Sequence, residues 1–214
     1  MHIPLMHPSS IIIAGASKSG KTVFIRRLIC ENMLTPKPSR IVVIFSEWQQ
    51  EYERLKAFTP RLEFFKGPIS EELYEGFNPI ENNLLVLDDQ MSAAVNGKSS
   101  EIEKYFVQGS HHKNLSIIFV MQNIFEKSKG LRTSNLNANY LVLYKNPRDK
   151  GQMGVLGPQM YPRNWRAFVG AIEKATEAPH SYILVDLSQE TPDEYRLRSS
   201  IFQSDGHIGT DVYI

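Results

Sequence analysis

The sequence contains very little cysteine and no long hydrophobic stretch. Cys30 is the only cysteine among 214 residues, so the chain can form neither an internal disulfide nor a zinc site made of cysteines. A single cysteine favours a reducing, intracellular setting. No apolar run approaches membrane-spanning length, and the first residues lack the charged start and apolar core of a signal peptide. These absences predict an intracellular protein with no membrane partner.

The chain also has almost no excess of charge of one sign. Its formal net charge is +1, and its hydrophobic content of 42% is enough for the core of one α/β domain. The charges are unevenly spread, because residues 46–103 hold twelve acidic and five basic side chains, whereas residues 104–150 hold two and eight. This pattern fits two ordinary solvated faces or a basic surface for an anionic partner.

What the sequence does contain is a phosphate-binding motif near its start. Residues 15–22 read GASKSGKT and match the Walker A pattern G-x-x-x-x-G-K-[ST]. In this motif glycines let backbone N–H groups approach phosphate oxygens, the lysine reaches the β- and γ-phosphates, and the last hydroxyl can ligate Mg²⁺. We predict that a nucleoside triphosphate binds Gly15, Ala16, Ser17, Lys18, Ser19, Gly20, Lys21 and Thr22, with Lys21 also catalytic and Thr22 also a metal ligand.

The residues around the motif predict the local structure that it requires. The β-branched run 11–13 before the motif suits a buried strand. After the motif, apolar residues at positions 24, 25, 28 and 29 have helical spacing. A helix that begins directly behind the loop adds the positive end of its dipole to the anion site.

Strand and helix patterns alternate along the rest of the chain. Apolar runs predict buried strands at 41–45 and 84–87, a short strand at 62–65, and further strands at 116–121, 140–144 and 182–185. Ser70 has the position of a helix cap, and residues 165–172 have helical apolar spacing. This order predicts an α/β fold with a doubly wound, mainly parallel sheet flanked by helices. We expect an N-terminal extension (1–9), a P-loop domain (10–187) and a peripheral C-terminal segment (188–214).

Three polar residues follow predicted strands and are candidates for catalysis. Asp88 and Asp89 directly follow the run 84–87, and Gln122 directly follows the run 116–121. We expect Asp88 to hold Mg²⁺ with Thr22, and Asp89 to activate water as a general base. Gln122 can orient that water or sense the γ-phosphate. A solvated Asp-Asp turn and a polar strand end are the simpler readings, but ligands of parallel sheets bind at the carboxyl ends of strands.

Hydrolysis also needs a cation that neutralises charge on the γ-phosphate. Arg148 follows the run 140–144, and Arg132 lies in the segment after Gln122. Either could be an arginine finger that reaches a neighbouring subunit, although for each arginine taken singly the favoured role is that of a surface charge.

Two other classes of P-loop protein fit the sequence less well. A small-molecule kinase needs an arginine-bearing lid over the phosphates, whereas Arg26 and Arg27 lie on the first predicted helix. A GTP-dependent switch needs Asp-x-x-Gly after the acidic strand, but position 91 is Met, and no Asn-Lys-x-Asp motif is present.

Longer motifs in the second half of the chain resemble a known family. The segments are GSHHKNLSIIF (109–119), MQN (121–123), LVLYKNPRDK (141–150), QMYP (159–162) and YILVDL (182–187). They resemble the genome-packaging ATPases of polintons (Mavericks) and adintoviruses, which are related to poxvirus-type packaging ATPases within the FtsK–HerA superfamily. The resemblance extends from about Ser10 to Phe202.

The resemblance implies a RecA/FtsK-like, ring-forming ATPase that uses ATP and Mg²⁺ to drive double-stranded DNA into a preformed capsid. It implies partners at a capsid portal or vertex and a site inside an infected host cell, in its nucleus or cytoplasm, with possible association with the virion. By position, Lys21 and Thr22 match the family's phosphate loop, Asp88 and Asp89 its acids, and Gln122 its polar sensor. Arg148 lies where the finger is expected. The second acid is aspartate rather than the glutamate of many relatives, which shortens its reach by one methylene.

Overall fold

The computed structural model describes residues 3–58, 62–88, 105, 112–124, 138–147, 151–203 and 210–213. Its strands are β1 (Leu5–Met6), β2 (Ser10–Ala14), β3 (Leu34–Thr35), β4 (Arg40–Phe45), β5 (Leu62–Lys66), β6 (Asn83–Asp88), β7 (Leu115–Met121), β8 (Tyr140–Tyr144), β9 (Tyr182–Asp186), β10 (Leu197–Ser199) and β11 (Asp211–Val212). Its helices are α1 (Lys21–Cys30), α2 (Gln50–Lys56), α3 (Glu71–Glu75), α4 (Gly151–Met160), α5 (Trp165–Ala175) and a 3₁₀ turn (Asp193–Tyr195).

Most strands belong to one mixed sheet. Within the described ranges nine strands pair in the order β5-β4-β6-β7-β2-β8-β9-β10-β11. The six from β5 to β8 are parallel, and the last three each pair antiparallel to the strand before. The predicted mainly parallel sheet is therefore confirmed. β1 and β3 form a separate parallel pair.

The buried parallel strands explain why apolar runs identified them. Every residue of β2, β6, β7 and β8 is buried, so both faces of these strands need apolar side chains. Alternate residues enter opposite clusters, with Ile12 on one face and Ile11 and Ile13 on the other. All seven strands that the apolar runs predict are present, and β5 is the one that is only partly buried.

Helices cover both faces of the sheet, as a doubly wound fold requires. Helices α1 and α2 pack on one face, to which Phe24, Leu28 and Tyr52 contribute. Buried residues of α4 and α5, including Leu156 and Phe168, pack on the other, together with Tyr74 of α3. The Ser70 cap is confirmed, since its hydroxyl accepts a hydrogen bond from the Leu73 amide at 3.2 Å. No helix among the described residues has the length and apolar content needed to cross a membrane.

The chain termini are more integrated than the sequence indicated. Leu5, His7 and Ser9 of the predicted N-terminal extension are buried. In the predicted C-terminal segment, β10 pairs within the main sheet, and Ile201 and Phe202 behind it are buried. The predicted boundaries of the three segments otherwise remain a prediction.

A buried ion pair holds β10 in place. Asp186 at the end of β9 accepts a hydrogen bond from Arg198 of β10 at 2.5 Å, and the two side chains are 3% and 0% exposed. Asp186 also accepts hydrogen bonds from the Ser188 amide and the Thr191 hydroxyl, each at 3.0 Å. These additional donors satisfy the carboxylate, which a buried charge requires.

We predict that Arg198→Met lowers the free energy of unfolding by about 3 to 5 kcal/mol, because it leaves the Asp186 carboxylate buried without its counter-ion. Urea denaturation measures this change. Arg54→Met is the matched control, since Arg54 pairs with Glu51 at the surface with its side chain 59% exposed, and it should cost less than about 1 kcal/mol. Equal effects of the two substitutions would contradict the role of the buried pair.

Candidate active site

A cleft lies at the carboxyl ends of the parallel strands. Its volume is about 800 Å³. Five parallel strands end beside it, because the phosphate loop follows β2, residues 46–49 follow β4, Asp88 ends β6, Gln122 follows β7, and Tyr144 ends β8. Asp88 pairs in register with Phe45 on one side and Val120 on the other. The predicted meeting of loop, acid and glutamine at one sheet edge is what the structure shows.

The two glycines of the phosphate loop are required by geometry. A Cβ atom on Gly15 would lie 2.5 Å from the Tyr144 Cβ and 2.9 Å from the Ser19 hydroxyl, too close for any other residue. Gly20 has φ +109°, a left-handed conformation that favours glycine. Lys18 is also left-handed, with φ 63°. Such turns expose successive N–H groups in a concave loop that suits an anion.

The last two residues of the motif, Lys21 and Thr22, begin helix α1. The helix begins at Lys21, and Lys21 and Thr22 line the cleft, so the positive end of the helix dipole lies beside the space for an anion. The Lys21 ammonium donates hydrogen bonds to the carbonyl oxygens of Gly15 at 2.7 Å and Ala16 at 2.8 Å. The ammonium group is therefore held across the loop, where it would neutralise the charge of bound phosphates.

A chain of polar contacts joins Thr22 to Asp88. The Thr22 hydroxyl donates to Gln49 Oε1 at 2.6 Å, and Gln49 Nε2 donates to Asp88 Oδ2 at 3.1 Å. The Tyr52 hydroxyl donates to the same Asp88 oxygen. Asp88 is only 4% exposed, so these donors compensate the burial of its carboxylate. The two side chains predicted to hold Mg²⁺ are thus linked through one amide.

Residues of β8 and β9 form the opposite wall of the cleft. The Tyr144 hydroxyl donates to the Gly20 carbonyl at 3.3 Å, and burial raises the pKa of Tyr144, which keeps the phenol neutral. His180 approaches the loop from the same side, with Nδ1 3.3 Å from the Ser19 carbonyl oxygen. Tyr182 and Phe202 also line this wall. The phosphate loop is therefore braced by an aromatic surface.

The donor set suits a hard cation shared with phosphates. The described residues contain no group of three or more His, Cys, Asp or Glu side chains that could hold a metal alone. A hydroxyl and one carboxylate beside a phosphate loop match the way Mg²⁺ binds, with few protein ligands and the remainder from phosphates and water. Thr22 and Asp88 therefore fit Mg²⁺ bound with a nucleotide.

The structure places some predicted site residues and not others. All eight loop residues, Asp88 and Gln122 are described, and Gln122 is exposed in the cleft. Asp89, Arg132 and Arg148 lie outside the described residues, so their roles remain predictions.

Three residues of this site, Glu47, Gln49 and Tyr52, were not predicted from the sequence. Gln49 and Glu47 follow β4 and line the cleft, and Tyr52 lies in the first turn of α2. The carboxylate of Glu47 is exposed. The rule that polar residues after parallel strands meet at one edge could have indicated 46–49, since 41–45 was already predicted to be a strand.

Comparisons with known proteins show the fold. No protein-family model and no curated protein matches the chain. Among solved structures, it is similar to the genome packaging NTPase B204 from Sulfolobus turreted icosahedral virus 2, in complex with ATP-γ-S, at a TM-score of 0.54 and 12% identity, over 86% of this chain and 94% of that one. It is also similar to the cytoplasmic domain of the Thermomonospora curvata type VII secretion ATPase EccC, at a TM-score of 0.55 and 16% identity, over 86% of this chain but 24% of that one.

These likenesses establish the fold class. The chain has the fold of the P-loop NTPases, with a mixed sheet whose parallel part bears the phosphate loop. The predicted fold class is confirmed.

Proposed function

We propose that this chain is an ATPase that drives double-stranded DNA into a preformed capsid. The observation that carries the proposal is the cleft in which the phosphate loop, Asp88 and Gln122 meet, on a fold shared with a genome packaging NTPase across 94% of that chain. The motifs at 109–123 and 141–150 support the same function, and they support a relation to the packaging ATPases of polintons and adintoviruses.

ATP binding is assigned to the phosphate loop and the start of α1. The loop N–H groups and the Lys21 ammonium would hold the phosphates, while Thr22 and Asp88 would hold Mg²⁺. Bound Mg²⁺ neutralises charge on the β- and γ-phosphate oxygens. The tight contact of Gly15 with Tyr144 fixes the loop against the sheet, so the donors are oriented before the nucleotide arrives.

Hydrolysis is assigned to the groups that follow β6 and β7. Asp89 would take a proton from the attacking water, and Gln122 would orient that water. Glu47, in the segment that follows β4, is another carboxylate at the cleft, and β4 lies beside β6. The chemistry of a general base suits either carboxylate, so the two must be compared directly.

The assembled state is proposed as a homo-oligomeric ring inside the infected cell, docked at a capsid portal or vertex. A subunit of such a ring can receive its finger from a neighbour. Arg148 is the first candidate for that finger and Arg132 the second.

A nucleoside kinase of the same fold remains the alternative, but neither of the two fold matches favours it. DNA-dependent hydrolysis separates the two functions. We expect purified protein to hydrolyse ATP faster when duplex DNA is added, and Lys21→Ala to abolish hydrolysis and weaken ATP binding, because the main positive charge on the β- and γ-phosphates is lost. An ATP hydrolysis rate that does not change when DNA is added, together with phosphate transfer to a nucleoside, would favour the kinase.

Asp89→Asn should retain binding of ATP and Mg²⁺ while turnover collapses, because the amide keeps the shape of the side chain but cannot act as a base. Glu47→Gln is the matched variant, and it should hydrolyse ATP at close to the wild-type rate. Single-turnover hydrolysis with ATP affinity measured in parallel distinguishes them. If Glu47→Gln loses turnover and Asp89→Asn does not, the base is Glu47.

Arg148→Ala should bind ATP nearly normally and lose turnover by a factor on the order of 10³, as for other arginine fingers. Mixing this variant with Lys21→Ala provides the decisive measurement. Each variant alone is inactive, whereas a mixed ring contains interfaces with an intact phosphate loop on one side and an intact Arg148 on the other. Absence of any recovered activity in rings shown to be mixed would move the assignment to Arg132.

A further inference from the structure

Gln49 lies between the two side chains assigned to Mg²⁺. Its amide oxygen is 2.6 Å from the Thr22 hydroxyl, and its amide nitrogen is 3.1 Å from Asp88 Oδ2. Gln49 comes from the segment after β4, a different part of the chain from the phosphate loop and from β6. One side chain thus joins three elements at the carboxyl edge of the sheet.

The contact with Thr22 fixes where the hydroxyl proton points. A hydroxyl has one proton and two lone pairs, and here the proton is donated to Gln49. The lone pairs of the Thr22 oxygen must therefore face other directions. A hydroxyl oriented in this way is ready to act as a metal ligand, because only its lone pairs can bind a cation.

The contacts with Asp88 fix the direction of the carboxylate. Gln49 and the Tyr52 hydroxyl both donate to Oδ2. Tyr52 is 1% exposed, and its ring packs against Phe45 and Phe64 with centroid separations of 5.7 and 5.5 Å. Packing therefore holds the phenol in place, and its hydrogen bond in turn holds the Asp88 carboxylate.

We propose that Gln49 and Tyr52 are positioning residues for the Mg²⁺ that accompanies the nucleotide. They hold Thr22 and Asp88 in the orientation in which both can bind the cation. The inference rests on the proposed binding of Mg·ATP and assigns two residues that belong to no phosphate-loop motif. Partners of metal ligands of this kind typically change metal affinity by roughly 10- to 100-fold when removed.

The experiment measures binding of a fluorescent ATP analogue to the full chain, in EDTA and across a Mg²⁺ titration. Gln49→Ala should raise the Mg²⁺ concentration at half-maximal binding by roughly 10-fold or more, with affinity in EDTA nearly unchanged. Tyr52→Phe keeps the packed ring and should shift the Mg²⁺ midpoint in the same direction. Gln50→Ala, an exposed neighbour on α2, is the control and should leave the midpoint unchanged.

Two results would overturn the inference. One is that the Gln49→Ala and Tyr52→Phe variants both have the Mg²⁺ midpoint of the wild type while their melting temperatures show that they are folded. The other is an equal loss of affinity with and without Mg²⁺, which indicates a structural role. Failure of the proposed function gives a different result, because wild-type protein and the Lys21→Ala variant would then bind the nucleotide equally weakly. That result would also rule out the positioning role.

Discussion

The placement of β7 between β2 and β6 is the constraint on which the site depends. Ala14 pairs with Met121, and Val120 pairs with Asp88, so three parallel strands end within one residue of the same line. The phosphate loop, Gln122 and Asp88 therefore meet at one edge without any further device. A shift of one residue would turn every side chain of β7 to the other face and disrupt the close packing on both faces of this fully buried strand, which fixes the register.

The second support of the site comes from the other side of β2. Tyr144 ends β8 and contacts the phosphate loop at Gly15 and Gly20. β9 and β10 extend the sheet beyond β8, and the buried pair of Asp186 and Arg198 fastens them together. Although this pair lies outside the cleft, the strands that it joins hold the wall against which the loop rests.

The sequence predicted the central strands and the phosphate loop because both leave local signals. A strand buried on both faces needs a continuous apolar run, and a phosphate loop needs glycines at fixed positions. Two other elements leave none. β10 is three residues long and contains Arg198, whose burial depends on a distant carboxylate. Helix α4 contains Pro158 and three glycines, which predict a break rather than a helix. Likewise, only tertiary contacts reveal that Gln49 reaches both Thr22 and Asp88.

The fold fixes the nucleotide site more firmly than it fixes the function. A phosphate loop, a metal-binding acid and a polar strand end are common to motors, kinases and switches, so the shared cleft cannot separate them. What separates them is the second substrate: duplex DNA for a motor and a small acceptor for a kinase. In enzymes, the groups that contact a second substrate commonly lie on loops positioned by a rigid scaffold. The response of hydrolysis to DNA therefore discriminates between these functions more sharply than any contact inside the phosphate loop.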